Sequence, residues 1–188
     1  MQSQWTIPGT ILQIQRSDAA RVDGLFQSMF LTGGLSLSQI SSISGLEPYT
    51  VQNWVKRGFL VAPKHKKYDM NQVAHILIIN MLRSCMQLDK IAFLIQYING
   101  KVDDRSDDII EDSVLYDYIC KILDRLVSYD VCSIGSVKEE IATATADYTE
   151  KFPGARERLT NALEIIVVAY YAAIIKKYSD SKLDEILN

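Results

Sequence analysis

At 188 residues, 48% hydrophobic and 23% charged, the chain has a globular composition, which excludes a largely disordered protein. The net charge of −3 divides unevenly: residues 1–100 carry 9 Lys/Arg against 5 Asp/Glu, and residues 101–188 carry 11 against 18, so a polyanion is expected to meet the first half and not the second. Cys85, Cys120 and Cys132 have no short paired spacing, which excludes a disulfide framework or a zinc knuckle and predicts buried structural thiols in a reducing cytoplasm.

The start, MQSQWTIPGT, has no basic segment followed by an apolar stretch, so no secretory signal is expected. Residues 1–16 read as irregular or extended. Ser17 and Asp18 suit the cap of a helix to about Phe30, with Val22, Leu25, Phe26, Met29 and Phe30 on its apolar face, and Thr32-Gly33-Gly34 ends it. Ser36 or Ser38 caps a short helix over 39–44 that turns Ile40 and Ile43 inward, and Gly45 lets the chain turn at positive φ. A second helix follows from about Pro48 to Arg57, with Val51, Trp54 and Val55 inward. Gly58 stops it. Phe59-Leu60-Val61 reads as a strand, Ala62–Lys67 as a basic turn and Tyr68 as the way out, which together make a small wing. Asp69 or Asn71 caps a helix over 73–85, and another runs over 88–99 to Gly100.

Residues 101–112, rich in Asp, read either as a linker or as the capped start of a helix through Leu126. Further helices are expected over 137–151 and, after Pro153-Gly154, over 155–178, with a weaker tail over 182–187. No internal repeat is evident, and few β segments are expected beyond the wing. The tract Leu163–Ile175 is apolar nearly all round, so burial on more than one side is expected: in a bundle, across a two-fold dimer interface, or beside a pocket for a small apolar effector with Tyr170 and Tyr171 as polar handles. Its uncharged run is shorter than the ~20 residues of a bilayer span, so no membrane helix is expected.

Two short helices joined by a Gly turn form a helix-turn-helix pattern. Between Glu47 and Asp69 there is no acidic residue, while Lys56, Arg57, Lys64, Lys66 and Lys67 crowd together. Duplex DNA is the simplest reason for that local reversal of sign. On the second helix Tyr49, Thr50, Gln52, Asn53 and Lys56 would face the major groove, where Asn and Gln can pair with adenine edges. Arg57 extends the charge, and Lys64, His65, Lys66 and Lys67 at the wing tip suit phosphate. Tyr68 either donates to a phosphate or packs under the wing, and Trp54 reads as a core anchor. The bland alternative is a solvated helix face and a solvated hairpin tip. There is no Gly-rich phosphate loop, no Ser-His-Asp order and no H-E-x-x-H, and His65 and His75 are the only histidines, so neither an enzyme, a cofactor nor a metal site is expected. Asp103, Asp104, Asp107, Asp108, Glu111 and Asp112 read as a solvated helix start.

The order helix, turn, T-V-x-x-W-V-K-R-G-F-L (Thr50–Leu60), basic wing, K-K-Y (Lys66–Tyr68) and two helices resembles the MerR-type winged helix-turn-helix. More specifically, Val51–Ile95 resembles an uncharacterised family of Gram-positive bacteria with a MerR-like middle and a helical C-terminal part. The resemblance implies a mostly α-helical fold, a MerR-like winged helix-turn-helix followed by a helical bundle. Residues 1–100 would be the DNA-binding domain with an N-terminal helical extension, and residues 101–188 a helical domain for dimerisation or an effector. The implied function is sequence-specific binding of double-stranded DNA in transcription regulation by a cytoplasmic homodimer. The chain departs from characterised MerR proteins in placing Gln52 where they usually carry a phosphate-gripping Arg, and Lys66 where many have Arg, which loses bidentate geometry. The alternative is a protein-interaction adaptor on the same scaffold without strong DNA binding.

Overall fold

The computed structural model describes residues 4–15, 28–31, 33–101, 106–126 and 133–187. The expected helix up to Phe30 lies outside them except for residues 28–30, which are helical. Cys132, Asp103 and Asp104 also lie outside. Among the described residues the protein is mostly helical.

The chain opens on an antiparallel hairpin, β1 (Gln4–Thr6) with β2 (Gln13–Gln15), in which Trp5 faces Ile14. This is more β structure than the sequence led us to expect. It is held by two side chains: Trp5 is buried and Ile7 wholly so. Gly9, at φ 73°, lies so close to α3 that a Cβ would stand 2.2 Å from the Leu77 carbonyl oxygen. Only glycine fits there.

A second, two-residue pairing joins β3 (Leu35–Ser36) to β4 (Lys67–Tyr68). Helix α1 (Leu37–Ser44) starts immediately after β3 with a reciprocal capping box between Ser36 and Gln39. It ends on Gly45 at φ 70°, where a Cβ would also meet Ile11 at 2.8 Å. Helix α2 (Pro48–Lys56) follows, Pro48 filling a first-turn position that needs no N–H. Asp69 and Gln72 form a second capping box at the start of α3 (Met70–Leu82), and α4 (Leu88–Asn99) stops at Gly100, φ 69°.

The remaining helices are α5 (Asp112–Leu126), α6 (Ile134–Ala144) and α7 (Ala155–Leu187). The described part of the segment before α5 is no free linker. Ile109 and Ile110 are buried, the Ile110 N–H donates to Asn99 Oδ1, and the Tyr148 hydroxyl donates to the Ile109 carbonyl. Helix α6 stops at Ala144, short of the expected Lys151, and α7 runs unbroken where a helix and a separate tail were expected.

Helix α3 sits at the centre, packed on α5 most extensively and also on α7, α1 and α4. From Gln72 to Leu82 every side chain but Asn80 is buried, which is why its sequence is apolar without a polar face. Buried residues from Trp5 to Val167 form one cluster. The boundary expected at residue 100 therefore separates composition and charge, while the core runs across it.

Within the single chain, helix α7 is buried on one side and only in its first half. Ala155, Leu159, Ala162, Leu163, Ile166 and Val167 are buried, but no residue beyond Val167 is, and Ile165, Val168, Ile174 and Ile175 are exposed. With 33 residues and an 18-residue window of mean hydropathy 1.5, α7 is also long and apolar enough to cross a membrane, by length and composition only. Cys120 is buried as expected for a structural thiol; Cys85, in the turn after α3, is exposed instead.

Candidate nucleic-acid interface

Helix α2 is placed by its inner face. Val51 is fully buried and Trp54 nearly so, joining Ile40, Ile43 and Leu46 in the core. At helical spacing this fixes the opposite face outward: Tyr49, Gln52, Asn53 and Lys56 are exposed and Thr50 is half-buried. The corner between α1 and α2 is braced by Ser44, whose hydroxyl donates to the Ile40 carbonyl and accepts from the Leu46 N–H.

The basic segment after α2 is built differently from the expected wing. Phe59–Val61 is not a strand. The Val61 and Ala62 carbonyls accept instead from the Gln72 side-chain amide, at 3.1 and 3.2 Å, so the chain is pinned to α3 there. The turn itself is tight: the Lys67 N–H donates to the Lys64 carbonyl at 2.9 Å, with His65 at φ 50° and Lys66 at φ 61°. Beyond it, β4 pairs with β3 in front of α1 and not with residues 59–61. The basic turn is thus tied to the strand that opens the helix pair.

Lys64, His65, Lys66 and Lys67 are all exposed, and none has an ion-pair partner among the described residues. Lys56 is likewise exposed, with no ion-pair partner among them. Arg57 differs. Its guanidinium reaches Asp89 of α4 at 3.3 Å and lies 4.6 Å over the Phe59 ring. Both members of that ion pair are largely exposed, so the pair is weak, but it holds the side chain against α4. Tyr68 resolves its two alternatives toward packing: it is 4% exposed, faces Leu35 across the strand pair, and burial raises its hydroxyl pKa. It belongs to the core, the second of those alternatives, and leaves the candidate DNA-contacting residues.

Sequence reasoning missed a polar seam behind this surface. His75 Nδ1 meets Asp112 Oδ2 at 3.0 Å, Asn99 Nδ2 donates to Asp112 Oδ1, and Asn71 Oδ1 accepts from the Ser113 N–H. These contacts fasten α3 and α4 to the start of α5. A lone His in an apolar helix and an Asp at the next helix start are the only signals in the sequence, and they stand 37 residues apart.

Together these elements define a mostly helical protein in which one short helix and one basic turn, drawn from a stretch of sequence without acidic residues, are exposed. Residues 33–119, which contain that surface, match a family described as a domain of unknown function (DUF1836). The chain is also 26% identical over 132 residues to an uncharacterised protein, YkrK, of Bacillus subtilis (strain 168); the match covers 68% of this chain and 55% of that relative, so the chain spans little more than half of it. These similarities support an uncharacterised bacterial domain family. No solved structure matches.

Proposed function

We propose that the protein is a sequence-specific DNA-binding transcriptional regulator of MerR-like winged helix-turn-helix type. The observation that carries this reading is an open α2 face, with Gln52, Asn53 and Lys56 exposed, followed in the chain by a turn whose basic side chains lack ion-pair partners among the described residues. Unpaired lysines on a defined turn are suited to displacing counterions from phosphate, and amide side chains on a helix suited to a groove can read base edges. In this reading the protein works by binding in the cytoplasm and not by catalysis. A homodimer would set two α2 helices about one helical turn, or a multiple, apart on a pseudo-palindromic site.

The test is fluorescence anisotropy with DNA recovered from genomic fragments, repeated over a salt series. Lys66→Ala with Lys67→Ala should weaken binding to all sequences and reduce the salt slope by about 1 per lost phosphate contact, whereas Asn53→Ala should cost about 1–3 kcal/mol on the preferred sequence and relax its choice of base. Unchanged affinity in both variants sinks the assignment of this surface.

A second reading has its own support. Gln52 brings no charge and Arg57 is occupied by Asp89 and Phe59, which suits a protein-interaction adaptor on the same scaffold. Absent or salt-insensitive DNA binding by the unaltered protein would favour it.

A further inference from the structure

The exposed half of α7 has two unlike faces. Leu163 and Val167 are buried, and the same face continues at helical spacing as Tyr170, Ile174 and Lys177. This face keeps Tyr170 half-buried against the core and leaves Ile174 and Lys177 exposed. It borders a cleft of about 600 Å³, shared with Trp5 and Thr10 of the N-terminal hairpin, Asn80 and Met81 of α3 and Leu123 of α5. That volume is within the ordinary range of small-molecule sites, which are mostly apolar with a few placed polar groups.

The polar groups here are distinct in kind. Asn80 uses its amide protons on the Gly9 and Ser44 carbonyls, at 2.8 and 2.9 Å, so the group left for a ligand is its Oδ1 acceptor. Burial, reinforced by Cys120, pushes the Tyr170 hydroxyl up to about 12, which keeps it a neutral donor. At the rim Lys176 is paired with Asp180 at 2.5 Å, while Lys177 has no ion-pair partner among the described residues. Among the described residues the cleft therefore carries one uncompensated positive charge at one end and an apolar interior of Trp5, Met81, Leu123 and Ile174.

We propose that this cleft binds a small amphipathic monoanion, an aliphatic or aromatic body ending in a carboxylate or sulfonate beside Lys177, and that occupancy is felt at the end of α1. The path is short. Asn80 donates to both the hairpin, at Gly9, and the last residue of α1, at Ser44, and the Ile11 N–H of the hairpin donates to the Ile43 carbonyl at 2.9 Å. A ligand that shifts Asn80 or the hairpin shifts the turn leading into α2. The regulatory half rests on the DNA-binding reading; the site itself does not.

The probe is 1-anilinonaphthalene-8-sulfonate, an aromatic monoanion, titrated into the full chain with decanoate as competitor. Saturable binding of one dye per chain, displaced by decanoate, is expected. Ala173→Phe, which fills the cleft, and Lys177→Gln, which removes its charge from an exposed position, should each weaken binding at least tenfold. Val168→Glu, on the opposite face of α7, should leave it unchanged. Dye affinity unaltered in Lys177→Gln and Ala173→Phe overturns the site, as does loss of a dimer in sedimentation of Ala173→Phe, which would make the cleft a contact between copies. Transmission is read without DNA, as amide exchange at Gly45 and Leu46: saturating dye should change it several-fold in the unaltered chain and not in Ala173→Phe, and equal exchange with and without dye overturns the coupling. Failure to bind DNA with the dye site intact would instead remove the proposed function alone.

Discussion

The two residues at the tip of the basic turn are held where side chains are rarely held. His65 and Lys66 both have positive φ, at 50° and 61°, under a hydrogen bond from Lys67 to Lys64. This is the pattern of a type I′ turn, which favours Asn-Gly because other L-residues pay about 1–2 kcal/mol in the left-handed region. Backbone strain of this kind collects at functional positions. His65→Asn with Lys66→Gly should therefore raise the stability of the chain by about 1–2 kcal/mol while weakening its hold on DNA; a thermal melt and the anisotropy assay read the two effects, and a lower melting temperature would show the turn to be unstrained. At this scale the sequence was legible where the chemistry is local. Ser36, Gly45 and Asp69 do what a cap, a left-handed turn and a second cap require within three or four residues. Tyr68 was not legible in the same way, since its burial depends on Leu35, far back in the chain.

Among the elements, the helix pair was readable because its period and its glycine are both in one short stretch. The wing was not, because its pairing depends on β3 and on the Gln72 amide that takes up the Val61 and Ala62 carbonyls. Those acceptors are satisfied by a side chain, so residues 59–61 have no need of a strand partner. Helix α7 is legible only in part. An apolar tract all round predicts burial all round, yet Ile165, Val168, Ala172 and Ile175 lie on the face away from the body, exposed, and Ile165 and Val168 share a groove of about 580 Å³ with Phe93 and Tyr97 of α4. A stripe at spacings of three and four on an exposed helix is suited to a second helix. In the proposed homodimer, Val168→Glu with Ile175→Glu should turn a dimer into a monomer in sedimentation at micromolar concentration, with the melt of the chain little changed because both positions are exposed. A monomeric unaltered protein, or a dimer indifferent to both charges, would remove α7 from the interface.

At the scale of the molecule, the division by charge and the continuity of packing are different facts. The basic first half and the acidic second half share a single cluster of buried side chains, with α3 at its centre and the His75–Asp112–Asn99 contacts along its polar edge. Sequence composition could show the first and not the second, because which helices meet across residue 100 depends on contacts separated by dozens of positions. The central place of α3 bears on how the gene can be cut. A fragment bounded by the family match, residues 33–119, ends inside α5, lacks the buried Trp5 and Ile7, and strips α7 from α3. It would present the side of α3 that α7 covers directly to water, at about 25 cal/mol for each Å² of apolar surface uncovered. Such a fragment should melt without cooperativity or precipitate, whereas residues 4–167, which keep every buried side chain among those described, should give one cooperative transition by circular dichroism. The smallest piece of this protein that can be handled alone is therefore set by the reach of one buried helix, and it is nearly twice the length over which the family resemblance is visible.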